Sequence, residues 1–440
     1  MKRVYFETQG CSTNFSESEM MAGLLARDGY ETSLQAEDAD LIVVNVCTVK
    51  GTKTAAKEIK KQYKFAVDHG KKLVVSGCIP RLAFPQFKKI APEASFVSTH
   101  NITKIGSAAQ AVFSGEQVAY IDRAHEDKSA NPRVRLNPHV SILQINNSCS
   151  GACTFCSTVL IKGKLKSYDE VNLLHQFSSA VKEGVGEFWL TSMDTASYGI
   201  DETGESKLPQ LVKKICEIGG DFRMRVGMLN PDTIAPVVDE MISAMKSEKV
   251  YKFLHIPIQA GNNRILKLMN RKYTREEYFE IVKRFREEIP DIVIATDIIC
   301  GFPGETREEF MESCDAVEKL NIDVVNISRF QGREGTAASV MDGQIDGGEL
   351  KKRSRVLSSL FRKVSLQQNK KMAGWKGWCY VAEKRKDYIA RTSNYKQVVI
   401  ESDQDILGKW VYVEVKTATQ FVLQGEILET KEAELHGISR

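Results

Sequence analysis

The sequence predicts an α/β protein in three parts: a helix-covered parallel sheet, a partial (β/α)6 barrel, and a small β-barrel at the C-terminal end. Three observations carry this. Fully apolar runs at 4–6, 41–46, 73–75 and 96–97 alternate with helical patterns, as strands buried on both faces of a parallel sheet require. Six further strand–helix units follow, with strands at 140–145, 187–191, 222–228, 250–257, 292–299 and 323–330. The final stretch holds four or five short strand patterns broken by Gly408 and polar turns, enough for a small barrel. A chain of 440 residues exceeds one core. The divisions are set at 1–120, 135–370 and 371–431.

The first unit reads as flavodoxin-like, and its cysteines fall at strand ends. Cys11 follows the first strand in ETQGCSTN, Cys47 ends the second in LIVVNVCTV, and Cys78 follows the third in LVVSGCIPR. Carboxyl ends of parallel strands share one edge, where ligands bind, so three thiols distant in sequence converge there. Three unrelated core cysteines are the plain alternative, but they give no reason for the repeated position.

A polar, partly acidic link, 121–137, leads into the TIM-like barrel. After its first strand, NNSCSGACTFCSTVL places Cys149, Cys153 and Cys156 at C-x3-C-x2-C spacing. Thiolates in one loop suit zinc or an iron–sulfur cluster. Structural zinc is normally closed by four protein ligands, and the nearest imidazole, His139, lies upstream in the preceding strand. A four-iron cluster on three cysteines leaves one iron open to an outside ligand. Three buried structural cysteines are the bland alternative.

Barrels of this kind work at the carboxyl ends of their strands. Thr191 to Thr195 ends strand two. Arg223 and Arg225 share one face of strand three, with Phe222, Met224 and Val226 toward the helices. Charge inside a barrel is costly unless paired, so each arginine is expected to face an anion; an internal Asp–Arg pair is the alternative. Strand four ends in HIPIQAGNN and strand five in TDIICGFPGETREEF. Gly301 to Gly304 suit either close backbone approach to a nucleoside or a plain turn into a helix capped by Thr306 and Glu309. His255 fits a core or a catalytic histidine equally.

Residues 351–371 carry eight basic side chains and no acidic one. In the tail that follows, Tyr388, Arg391, Tyr395 and Lys396 interleave rings and cations, as a single-stranded nucleic-acid surface does. Net charge is only +4, so polyanion binding depends on where charge sits. Ten cysteines, with no signal-like segment and no apolar run near membrane-spanning length, point to a reducing cytoplasm.

With these residues read, the chain resembles the radical S-adenosylmethionine methylthiotransferase family over nearly its whole length. TQGCSTNFSESE, NVCTV, SGCIPR, KGKLKSY, GMLNP and TDIICGFPGET resemble its archaeal and eukaryotic branch, which acts on N6-threonylcarbamoyladenosine beside the tRNA anticodon. The resemblance implies a radical SAM barrel and a C-terminal RNA-binding TRAM barrel. It implies two 4Fe-4S clusters: Cys149, Cys153 and Cys156 hold the one that binds S-adenosylmethionine, and Cys11, Cys47 and Cys78 an auxiliary one. It places Asp194, Arg225 and Gln259 near the cofactor, where Phe155 of the cysteine loop and Gly301 at the barrel mouth are also expected; the ring-and-cation pattern puts Arg391, Tyr395 and Lys396 at RNA. No side chain is assigned a catalytic role. The implied reaction converts adenine C2–H to C2–SCH3 through a 5′-deoxyadenosyl radical, with a second S-adenosylmethionine donating the methyl group. The implied partners are tRNA, an external electron donor and a sulfur source, with the chain a monomer.

Three segments depart from the family pattern: Ser192-Met193-Asp194-Thr195, Gly261-Asn262-Asn263 and Arg333-Glu334-Gly335-Thr336. Met193, Asn262 and Glu334 therefore receive no role. The alternatives are a methylthiotransferase for isopentenyladenosine tRNA or a ribosomal protein, and a non-catalytic RNA-binding protein stapled by metal.

Overall fold

The structure, a computed structural model, describes residues 1–431 apart from 50 and 125. The N-terminal unit runs β1 (Arg3–Thr8), α1 (Ser12–Arg27), β2 (Glu31–Ser33), β3 (Leu41–Cys47), α2 (Thr52–Asp68), β4 (Lys72–Cys78), α3 (Phe84–Ile90), β5 (Ser95–Ser98), α4 (Ile105–Phe113) and β6 (Ala119–Tyr120). The strands form one parallel sheet ordered β2-β1-β3-β4-β5-β6. Its first five places follow the flavodoxin order. Every residue of β3 is buried because LIVVNVC presents apolar side chains to both faces. Met20 and Leu24 of α1 join Ile105 and Val112 of α4 over Val43 and Val97 on one face. Ile59 and Phe87 cover Ile42, Val44 and Val75 on the other. The edge strands β2 and β6, of three and two residues, lack the apolar run that marks a strand in sequence.

The central unit contains β7 (Val140–Gln144), the short hairpin β8 (Asn146–Asn147) and β9 (Lys166–Ser167), then β10 (Glu187–Thr191), β11 (Arg223–Arg225), β12 (Phe253–His255), β13 (Val293–Cys300) and β14 (Val324–Arg329). Parallel sheets β11-β10-β7 and β12-β13-β14 are joined by a bridge between Met224 and Val250, giving an open six-stranded arc. Met224 and Val226 enter the core between strands and outer helices, as the alternation required. β7 is paired on one side only. On its other side the Ile142 carbonyl accepts from Ser16 Oγ at 3.1 Å and Arg133 Nη1 at 2.7 Å, so α1 and the linker satisfy the open edge. The helix Gly347–Lys370 packs against β14 at the opposite edge.

The tail forms a closed barrel, β15 (Lys376–Lys384), β16 (Tyr388–Arg391), β17 (Gln397–Ile400), β18 (Trp410–Ala418) and β19 (Leu423–Lys431), ordered β15-β16-β17-β19-β18. It plugs the amino-terminal end of the α/β barrel. Tyr380, Ala382 and Trp410 pack on Val140 and Ile142, and Tyr395 packs on Tyr251, Phe253, Val293 and Ala295. Among the described residues no helix is long and apolar enough to cross a membrane.

At this plug Arg391, Tyr395 and Lys396, expected at RNA, make contacts within the protein. Lys396 Nζ bonds Asp323 and Asn369, each at 2.8 Å. Tyr395 lies 4.9 Å from the Tyr251 ring, and the Arg391 guanidinium lies 4.6 Å from Tyr395. Tyr388 is buried and donates to Asp405 at 3.1 Å. Rings interleaved with cations serve a protein–protein seam as well as an RNA face, because cation–π and aromatic packing operate in both.

Candidate active site

Beyond β7 the chain passes through β8 and, before it returns in β9, presents Cys149, Cys153 and Cys156 at the carboxyl end of the strands. The loop is pinned from outside. Thr154 donates through N to Met269 O at 3.1 Å and through Oγ1 to Leu268 O at 2.8 Å, and Asn270 Nδ2 reaches Ala152 O at 2.8 Å. Backbone N–H groups of Gly151 and Thr158 point at the sulfurs of Cys149 and Cys156, at 3.2 and 3.4 Å.

The thiols face a cavity of about 440 Å³ whose wall includes Phe155, Asp194, Asn230, Gln259 and Arg271. The donor set fits an open iron–sulfur cluster. A Cβ on Gly151 would stand 3.4 Å from Cys149 Sγ and 3.8 Å from Cys153 Sγ, so glycine keeps the space before two sulfurs clear. Arg271 donates to Cys153 Sγ at 3.1 Å, and also bonds Asn230 Oδ1 and Tyr273 OH. A guanidinium beside sulfur favours thiolate. Burial, with the nearby Asp194 charge, pushes the Cys149 thiol up to about 12, and burial raises Cys153 against the opposing Arg271. Metal loading must therefore displace protons. Among the described residues no three His, Cys, Asp or Glu side chains are spaced for a single metal ion.

The other expected cofactor residues divide. Phe155 lines the cavity and meets Phe302 edge-on, with ring centroids 6.4 Å apart. Asp194 lines it too, but its carboxylate is fully buried and accepts from Asn230 N at 3.0 Å, Ala196 N at 3.1 Å and Thr233 Oγ1 at 2.8 Å. Burial raises it to about 6 despite those donors. It fastens the loop after β10 to the segment after β11. Gln259 holds a left-handed φ of 66°, which a non-glycine residue adopts at some cost.

Arg225 and Gly301 lie outside this wall. The Arg225 guanidinium stands 5.3 Å from the Phe253 ring and 5.6 Å from Tyr395, at the plugged end of the lumen. Arg223 likewise stands 5.5 Å from Trp410, so both arginines meet rings, and the Arg225 charge also helps to lower the Asp297 carboxyl. Gly301 has φ +76°, and a Cβ there would meet Leu350 Cδ2 at 2.0 Å; it is a turn under the helix Gly347–Lys370. His255 Nε2 pairs with Asp297 Oδ2 at 2.9 Å inside the barrel. Sequence reasoning assigned no role to Arg271, which lies outside every segment singled out, or to Asn230, although it stands in GMLNP.

The second triad converges on the sheet edge. Cys47 and Cys78 are direct register partners at the ends of β3 and β4. Cys11 caps α1, and the turn before it presses on the same point: Gly10 has φ +132°, and a Cβ there would stand 2.7 Å from Cys47 Cβ. The Cys78 thiol is raised, first by its hydrogen bond with Cys47 and then by burial. Ser12, next to Cys11, shares a 2.5 Å hydroxyl contact with Thr191 at the end of β10, bringing this edge against the barrel mouth. Between the two domains lies a cavity of about 390 Å³ with Thr48, Lys53, Arg81, Arg123 and Arg333 in its wall. Leu160 and Gly335 border both cavities.

An open three-cysteine loop at the mouth of a partial α/β barrel defines a radical SAM protein, a class that works with an iron–sulfur cluster and S-adenosylmethionine, and residues 143–317 match the Radical SAM superfamily. Residues 3–99 match Uncharacterized protein family UPF0004, and 382–428 match the TRAM domain. The chain is 38% identical over 431 residues to a probable threonylcarbamoyladenosine tRNA methylthiotransferase of Archaeoglobus fulgidus, covering 97% of this chain and 98% of the relative. It is 33% identical to the threonylcarbamoyladenosine tRNA methylthiotransferase of Homo sapiens, covering 97% and 74%. The chain belongs to the threonylcarbamoyladenosine tRNA methylthiotransferase family. In fold it is similar to the radical S-adenosylmethionine methyltransferase TsrM of Kitasatospora setae, solved with cobalamin and a 4Fe-4S cluster, with TM-score 0.55 and 13% identity over 77% of each chain.

Proposed function

We propose that this chain replaces the C2 hydrogen of N6-threonylcarbamoyladenosine, next to the anticodon of tRNA, by a methylthio group. Cys149, Cys153 and Cys156 hold one 4Fe-4S cluster, and Cys11, Cys47 and Cys78 hold a second. The observation that carries the reading is the Ser12–Thr191 contact, because it brings the sheet edge with one triad against the barrel mouth with the other. When bound, the loop cluster supplies reductive cleavage of S-adenosylmethionine, a radical route to an aromatic C–H that no side-chain base can open.

The chain's own residues bind and orient. Gly151 keeps the open face clear, Arg271 holds Cys153 and Asn230, and Asp194 fixes the loops around the pocket. Lys53, Arg81, Arg123 and Arg333 line the interdomain cavity and supply positive charge for RNA entering between the triads. Exposed Lys351, Lys352, Arg355, Arg362, Lys363, Lys370 and Lys371 extend that charge along one helix. The domains divide at 1–120, 135–370 and 371–431. The chain acts as a monomer in the cytoplasm, taking electrons and sulfur from outside donors.

Nucleoside mass spectrometry of tRNA from cells with and without this chain tests the reading. The 2-methylthio derivative of threonylcarbamoyladenosine should vanish on deletion, return with the wild-type chain and stay absent with C153A. Loss of a methylthio group from isopentenyladenosine or from a ribosomal protein would overturn the substrate assignment. Zinc without sulfide in anaerobically purified protein would favour a metal-stapled RNA binder.

A further inference from the structure

Three fully buried charged side chains lie behind the second cysteine triad. Lys128 Nζ sits 2.8 Å and Lys162 Nζ 3.3 Å from one oxygen of Glu17, with side chains 3%, 2% and 0% exposed. Thr99 donates to the same oxygen at 2.5 Å, while Glu17 Oε2 has no partner. Two ammonium groups against one carboxylate leave a positive charge in excess. A buried charge without a counterpart is unstable. The knot lies against the triad: Thr99 Oγ1, 3.3 Å from Lys162 Nζ, belongs to a residue whose backbone N donates to Gly77 O at 2.9 Å, next to Cys78.

Placement is built in from three segments. Glu17 belongs to α1, which Cys11 caps, and Lys128 comes from the interdomain linker. Lys162 ends the short helix α5 (Thr158–Lys162), which begins two residues after Cys156, so the loop that carries one triad delivers a cation to the other. Its carbonyl is held by Asn147 Nδ2 at 2.9 Å, and the preceding Ile161 carbonyl by His100 Nε2 at 2.7 Å.

We propose that Lys162, steadied by Glu17 and Lys128, is the countercharge of the auxiliary site and sets the reduction potential of the cluster there. The inference rests on the reading that Cys11, Cys47 and Cys78 hold a 4Fe-4S cluster. The oxidised core carries two positive charges and its three thiolates three negative, so the knot's excess charge neutralises the assembly. One electron from an external low-potential donor makes it anionic, and a fixed buried cation stabilises that added charge, raising the potential. Lys162 is thus a positioning residue for this site.

The test uses the full chain carrying Cys149→Ala, Cys153→Ala and Cys156→Ala, reconstituted anaerobically with iron and sulfide so that only the auxiliary cluster loads. Iron near four per chain supports the two-cluster reading; its absence overturns that reading and the proposal with it. In a mediated dithionite titration followed by electron paramagnetic resonance, K162M should lower the equilibrium constant for one-electron reduction about tenfold, about 59 mV. K162R should keep the wild-type value, and E17Q should shift it in the opposite direction to K162M. Should K162M fail to load, K128M and E17Q decide by the same sign rule. Loaded variants with unmoved potentials, or removal of a cation and of the anion shifting the potential the same way, would overturn the proposal alone.

Discussion

Lys396 of the small β-barrel and Asp323 of the α/β barrel form a 2.8 Å ion pair across the domain seam, with side chains 11% and 8% exposed. Asp323 Oδ2 also accepts from Ile294 N at 3.1 Å, so the pair ties the plug to the first residues of β13 and β14. Lys396→Met should leave Asp323 with only Arg286, at 3.9 Å, and cost about 2 kcal/mol. Chemical denaturation should show the loss, while the salt dependence of tRNA binding stays unchanged. A reduced salt slope in this variant would return Lys396 to the RNA surface. Deleting the chain beyond Gly374 should do worse, because it uncovers Val140, Ile142 and Phe253.

Cys153→Ala removes the thiol that Arg271 touches in the loop site. Production of 5′-deoxyadenosine should fall to background. Iron bound at the other triad should remain, because Cys11, Cys47 and Cys78 lie on a separate sheet. Continued cleavage of S-adenosylmethionine would remove this loop from the chemistry.

Cys47→Ala acts on the other site. Methylthio product should be lost, yet some 5′-deoxyadenosine should still form, since the loop cavity keeps all its thiols. Unchanged product would end the second triad's assignment as sulfur carrier.

RNA affinity should depend on the exposed cations of the helix Gly347–Lys370. Arg362→Gln with Lys363→Gln should weaken tRNA binding and lower the slope of log K against log salt by about one for each phosphate that is no longer neutralised. Arg353 serves as the internal control. It is buried and spent on Glu305 at 2.9 Å, so its substitution should alter stability and leave the salt slope intact. Equal slopes for wild type and the double variant would place the RNA elsewhere.

Acid should loosen the joint between the first two domains through Glu17. Burial alone would raise this carboxyl, but Lys128 and Lys162, with bonds from Lys128 and Thr99, hold it at about 2 against an ordinary 4.5. Its folded value is depressed, so its stabilisation, about 3 kcal/mol, is complete above pH 5 and is lost as pH falls from 4.5 toward 2. Denaturant midpoints measured from pH 6 to pH 3 should decline more steeply for wild type than for Glu17→Gln. Parallel declines would show that Glu17 titrates normally.

Residue pattern alone carries the three-part architecture and the grouping of both triads. Strands such as LIVVNVC are apolar on both faces and admit only a covered parallel sheet, and cysteines at successive strand ends must then meet on one edge. C-x3-C-x2-C needs no fold at all to bring its thiols together. The roles of the polar residues come instead from how the domains dock. Whether Arg391, Tyr395 and Lys396 face RNA or a neighbouring domain depends on where a second barrel sits, which their spacing through the turn from β16 to β17 does not encode. Arg225 and Gly301 stand outside the cavity wall for the same reason, because the plug supplies rings to one and the helix Gly347–Lys370 supplies Leu350 to the other. Arg271 reaches Cys153, and Lys162 reaches Glu17, over 118 and 145 positions of chain. Pairing at that range is set by the packing of domains, and local pattern carries no trace of it.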